Sequence, residues 1–137
     1  MDMKKFLLAS LAGGITLFVL GALIYGVALP SFMEDNTLPG IMRVEPIMWS
    51  MVLSQLAMGG FVAYVYLRWA SISTFVGGAK GGAIIGAFIG IGIGFDLYAI
   101  SNMMSLTFAV VDVALWAIRF GIAGGVIGHV IGMGKGD

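Results

Sequence analysis

Cysteine is absent from this sequence, histidine occurs once and proline three times. Without cysteine there is no disulfide, no thiolate nucleophile and no iron–sulfur ligation, and one histidine alone cannot build a zinc cage from Cys and His. Charge is scarce as well: 10% of the residues are Asp, Glu, Lys or Arg, against about 25% in an average soluble domain. The seven bases are scattered and balanced by seven acids. No basic face can track a phosphate backbone, and nucleic-acid binding is excluded. No nucleophile–base pair and no metal-ligand set is visible, so neither enzymatic activity nor a cofactor is expected.

What is present is apolar. Hydrophobic residues make up 60% of the 137, with a mean hydropathy of +1.05. A helix needs about 20 apolar residues to cross the hydrocarbon core of a bilayer, so a chain of this length holds four such segments and no separate soluble domain. The expected class is an all-α membrane protein forming one integral domain over residues 1–137. The segments fall at about 6–29, 47–67, 75–100 and 107–131, the first stopped by Pro30. That first segment follows a basic start like a signal peptide, but its apolar core exceeds the roughly 7–15 residues of a signal h-region, so it is expected to persist as a spanning helix. Short connections after the second and third segments make consecutive helices antiparallel neighbours in a four-helix bundle.

Basic loops are retained on the cytoplasmic side. Lys4, Lys5, Arg68, Lys80 and Lys135 fall on one side of this topology and only Arg43 on the other. Both termini are therefore expected in the cytoplasm of a bacterial inner membrane, with Glu34, Asp35 and Glu45 outside. Trp49 and Trp69 read as anchors at the two interfaces, His129 as an interface residue, and Lys80 as a side chain that snorkels.

Glycine supplies 22 residues, and their placement is regular. Gly78, Gly82, Gly86, Gly90 and Gly94 recur every fourth residue in the third segment, and Gly124, Gly128 and Gly132 in the fourth. A ridge without side chains lets two backbones approach closely in lipid, within the bundle or between copies in a homo-oligomer. No Gly-Lys-Ser/Thr ending follows, so this is no phosphate loop. A weak internal repeat accompanies the glycines: Glu45 stands four before Trp49 with Gly59-Gly60 following, as Asp112 stands four before Trp116 with Gly124-Gly125 following.

The fourth segment contains VVDVALWAIRF, with Asp112 and Arg119 in a run otherwise fit for lipid. Each would cost about 2.5–3.5 kcal/mol at the centre of a bilayer on insertion scales. At about 100° per residue, Asp112, Trp116, Arg119 and Ala123 share one face, which must look into the bundle, a wet cavity or a subunit interface. Arginine leans toward the helix N-terminus, here toward Asp112, but about 10 Å of helical rise separates the two. A water or a second acid is needed to close the gap. Asp96 comes to similar depth on the third segment, and Gln55 and Tyr25 reach the same half of the membrane. The expected site is a polar cluster of Tyr25, Gln55, Asp96, Asp112 and Arg119. Met33, Met42, Met48, Met51, Met103 and Met104 gather toward the outer side, where thioethers could hold copper(I), though packing is their expected role.

The stretch FDLYAISNMMSLTFAVVDVALW, residues 95–116, resembles the region joining the third and fourth helices in small four-helix bacterial membrane proteins known as domains of unknown function. The likeness rests on Asp96-Leu97, Asp112 and Trp116, with Asn102 displaced. It implies the fold and topology without an activity, and it implies that both acids belong to the design. The expected function is to pass or bind a small solute or ion at the cluster. Two alternatives stand beside it: an accessory subunit whose buried charges specify assembly, and a binder of lipid or small hydrophobes with an apolar cleft lined by Phe and Met.

Overall fold

The computed structural model describes residues 1–133. Lys135, which entered the charge argument above, lies outside them. Four helices are long and apolar enough to cross a membrane: residues 3–28, 48–70, 75–100 and 106–132. In the order of the chain, α1 (Met3–Gly21) continues into a π-helical run over Ala22–Ala28, α2 (Pro30–Asn36) is short, α3 (Met48–Val65) continues into a π-helical run over Tyr66–Ala70, and α4 (Phe75–Ile100) and α5 (Leu106–Gly132) complete the chain. Among the described residues there is no strand, only an isolated bridge between Thr37 and Met104.

Local chemistry sets the boundaries. Asp2 caps α1 by accepting from the Lys4 and Lys5 amides. Thr74 and Ser105 cap α4 and α5 through their hydroxyls, accepting from the Gly77 and Phe108 amides at 3.0 and 3.1 Å. Each side-chain oxygen satisfies an amide that the first helical turn leaves without a partner. Pro30 does more than stop the first segment. Its fixed φ and missing N–H suit the first position of a helix, and it starts α2 there.

Helix α5 is central, packing on α4, α1 and α3; α3 and α4, expected as neighbours from their short connection, instead pack mainly on α1 and α5 respectively. Against α4 it lies backbone to backbone. A Cβ at Gly78 would strike the Gly124 carbonyl, at Gly82 the Phe120 carbonyl and at Gly86 the Trp116 carbonyl, while one at Gly90 would sit 3.2 Å from the Val113 Cα. Gly124 and Gly128 return the contact, against the carbonyls of Gly78 and Thr74. The sequence-predicted ridge therefore packs within the chain, with one correction. Gly94, expected to pack, would offer its Cβ to nothing within 4 Å, so the seam ends a turn before it.

A second seam was not expected. A Cβ at Gly59 of α3 would lie 2.5 Å from the Gly14 amide nitrogen and 2.7 Å from the Ser10 carbonyl oxygen of α1. This gives the repeat half of its meaning: Gly59 and Gly124 both seat a helix closely on a neighbour. The other half separates, because Glu45 and Trp49 are exposed while Asp112 and Trp116 are joined by a hydrogen bond. The core between the seams is formed by Leu17, Val62, Tyr66, Phe120, Ala123 and Ile127. Tyr66 fixes it to α4 by donating its hydroxyl to the Gly78 carbonyl at 2.5 Å. Large apolar side chains face outward along every long helix, among them Leu11, Leu53, Phe88 and Ile118. Such surfaces suit lipid and would be a liability in water.

Near the α4–α5 turn, the Leu38 amide donates to the Met103 carbonyl at 2.8 Å and the Ser105 amide to the Asn36 carbonyl at 2.8 Å. The Ser105 hydroxyl adds a bond to the Asn36 side chain at 2.7 Å. These bonds tie the long connection after α2 to the start of α5.

Candidate functional site

Asp112 and Arg119 project from the face of α5 that meets α1 and α3. The Tyr25 hydroxyl, from the π-helical run after α1, donates to Asp112 Oδ1 at 2.5 Å. The Trp116 indole N–H, one turn along α5, donates to Oδ2 at 3.1 Å. Both carboxylate oxygens are thus engaged by neutral donors. Arg119 is 7% exposed, and its Nη2 donates to the Leu17 carbonyl at 3.2 Å and to Gln55 Oε1 at 3.0 Å. The guanidinium lies 5.7 Å from the centre of the Tyr25 ring and 5.8 Å from that of Trp116, within cation–π range. Its Nε is buried and has no hydrogen-bond partner.

Four of the five expected residues are therefore brought together: Tyr25, Gln55, Asp112 and Arg119. Asp112 and Arg119 do not pair directly, and the second acid expected to bridge them pairs with neither. Among the described residues no carboxylate reaches Arg119 within 4.0 Å. The charges are linked through Tyr25 and Trp116, whose rings face the guanidinium and whose polar hydrogens hold the acid.

Asp96 is the residue the structure leaves out. It is exposed on α4 and makes no side-chain hydrogen bond or ion pair with a described residue. The reason is rotational: Asp96 stands two residues after Gly94, about 200° around the helix. The glycine ridge turns toward α5 as far as Gly90, so a similar level along the helices does not bring Asp96 to the same place.

Sequence reasoning missed three participants. Gly21 passes directly against the arginine, since a Cβ there would lie 3.2 Å from Nη2. The Leu17 carbonyl accepts with its second lone pair, which no side-chain pattern encodes. Trp116 was read as sharing the polar face, but not as a donor, although its spacing of four from Asp112 is the one at which helical side chains meet.

No known protein family, curated protein or solved structure matches this chain. The site must be read from its own geometry.

Beside the cluster lies a cavity of about 1090 Å³. It is bounded by residues 18–26 of the first long helix, by the connection over 30–47, and by the first two turns of α3 as far as Gln55. Met33, Met42, Met48 and Met51 line it, so four of the six methionines that gather in the sequence share one wall system. Gly21, Tyr25 and Gln55 line it too and also touch Arg119. His129 and Lys80 are exposed and take no part. The lining is mostly apolar but also carries Glu34 and Arg43, and an apolar lining with a few polar groups is the general character of a small-molecule site.

Proposed function

We propose that this chain is a bacterial inner-membrane protein of four antiparallel spanning helices that binds a small amphipathic solute in the cavity between α1, α3 and the α2–α3 connection. The observation that carries the reading is that one cavity lining holds methionine and isoleucine side chains together with Gln55 and Tyr25, the partners of Arg119 and Asp112. The seam pairs of Gly78 with Gly124, Gly82 with Phe120 and Gly86 with Trp116 support the antiparallel arrangement, since one number rises as the other falls. Binding without covalent chemistry is the activity proposed.

The accessory-subunit alternative requires a fully paired cluster with no cavity beside it. The unpartnered Arg119 Nε and the adjoining volume weigh against it. Association of copies into a homo-oligomer is compatible with binding, but the α4–α5 glycine seam is already used within the chain and would not form that interface.

A photoreactive dodecyl alcohol tests the reading on protein in phosphatidylcholine nanodiscs. Saturable labelling confined to residues 18–26 and 30–55, displaced by unlabelled dodecanol, is the expected result. Labelling spread over the outward faces of all four long helices and not displaced by dodecanol would overturn it.

A further inference from the structure

Arg119 carries a full positive charge in a place that is 7% exposed, and both of its observed hydrogen bonds go to neutral acceptors, Leu17 O and Gln55 Oε1. Guanidinium groups offer five N–H donors, and here Nε has no partner at all. Burying an ion is costly unless charge and hydrogen bonds compensate it. The one acid nearby does not compensate by contact, because Tyr25 and Trp116 occupy its two oxygens. The aromatic faces of Tyr25 and Trp116 supply part of what is missing. What remains is a cationic donor with spare capacity, separated from the cavity only by Gly21, Tyr25 and Gln55.

We infer that the cavity selects amphiphiles with an anionic phosphate-like or carboxylate end, which Arg119 receives, and that Gln55 occupies the anion's position when the site is empty. The inference rests on the binding reading above and adds the charge of the ligand to it. Gln55 is suited to the role because its amide oxygen offers the acceptor geometry of a carboxylate oxygen without the charge. A neutral acceptor is exchanged for a charged one at a net gain, since charge-assisted hydrogen bonds are roughly twice as strong as neutral ones. Gly21 packs against the guanidinium, where a Cβ would stand 3.2 Å from Nη2 and 3.6 Å from Cζ, so the group enters through the place of the Gln55 amide. A cation is the wrong guest for this place. Asp112 has both oxygens engaged by donors, and the guanidinium beside it would repel a second positive charge.

The experiment is equilibrium binding of dodecyl phosphate, dodecanol and inorganic phosphate to the protein in phosphatidylcholine nanodiscs, with empty nanodiscs subtracted. Dodecyl phosphate is expected to bind at least about tenfold more tightly than dodecanol, the difference one charge-assisted hydrogen bond supplies. Gln55→Glu gives Arg119 a resident carboxylate and is expected to abolish that preference while dodecanol still binds. Gln55→Met, which removes the acceptor without adding charge, is expected to keep it, so a loss of shape is told apart from neutralisation of Arg119. Displacement of dodecyl phosphate by inorganic phosphate would support the inference with a free anion as the source, and failure to displace would support it with the amphiphile's own head group. Equal affinity for dodecyl phosphate and dodecanol in the unmodified protein would overturn the inference and leave the cavity reading standing, as would a preference undiminished in Gln55→Glu. Absence of saturable binding by both dodecyl compounds would instead overturn the cavity reading, and this inference with it.

Discussion

At the residue scale, a half-buried acid and a buried base share a site without pairing directly, and each depends on neutral neighbours. Asp112→Ala removes the acceptor of both the Tyr25 hydroxyl and the Trp116 indole, and each stranded donor costs about 1–3 kcal/mol. Thermal unfolding in mild detergent is expected to show a large loss for Asp112→Ala. Asp112→Asn should lose less, because the amide oxygen still accepts one of the two bonds. Asp96→Asn, at an exposed acid, should stay within about 0.5 kcal/mol of the parent protein. A penalty at Asp96 equal to that at Asp112 would contradict the separation of the two acids. The level of each residue along its helix was legible in the sequence, and the structure does bring Tyr25, Gln55, Asp112 and Arg119 together. The face was legible only where a strong marker fixed it. On α4 the glycine ridge was that marker, and it places Asp96 away from α5.

At the scale of elements, close approach of backbones is the main constraint, and α4 carries its own control. A Cβ at Gly82 would run into the Phe120 carbonyl, whereas one at Gly92 or Gly94 would meet nothing within 4 Å. Gly82→Ala is therefore expected to lower the unfolding free energy by about 1–3 kcal/mol through overpacking. Gly92→Ala and Gly94→Ala should leave it unchanged or raise it by up to about 1 kcal/mol through helix propensity. Calorimetry or denaturant titration of the three variants checks the pattern, and equal losses at all three positions would refute it. The four long helices were visible because length and apolar content suffice to mark them. The π-helical runs over Ala22–Ala28 and Tyr66–Ala70 were not, since a change from i+4 to i+5 bonding alters phase without altering composition. That phase shift falls where Tyr25 turns to Asp112, so a helical wheel of constant pitch misplaces the residue.

At the scale of the whole molecule, the class of protein was written in its composition, but the choice of neighbours was not. Helices apolar on nearly every side carry no stripe to announce which face is buried. The packing of α5 on α1 and α3 as well as α4 therefore emerges only in three dimensions. The proposed topology makes a separate prediction, because Lys4, Lys5, Arg68 and Lys80 should stay in the cytoplasm. A reporter active only in the cytoplasm is expected to work when fused to either terminus and to be silent when inserted near Asn36. The reverse pattern would invert the protein in the membrane without disturbing its packing. Assembly of the long connection can be tested in the same molecule. Ser105→Ala removes both the α5 cap and the side-chain bond to Asn36 while leaving the backbone bond between the two residues, and is expected to speed proteolysis within residues 37–47 relative to the parent protein.

The position of Trp116 has an optical consequence. Trp49 and Trp69 are 72% and 71% exposed, whereas Trp116 lies partly buried, stacked 5.5 Å from the Phe120 ring with Arg119 over its face. Replacing the two exposed tryptophans by phenylalanine leaves one indole in the chain, hydrogen-bonded to the acid and facing the base. Indole emission shifts with the local electric field, so an anion arriving at the guanidinium would change the colour of that light. The protein thus carries a native fluorophore at the place where occupancy would be decided, and the rate of filling could be followed in real time without attaching any label.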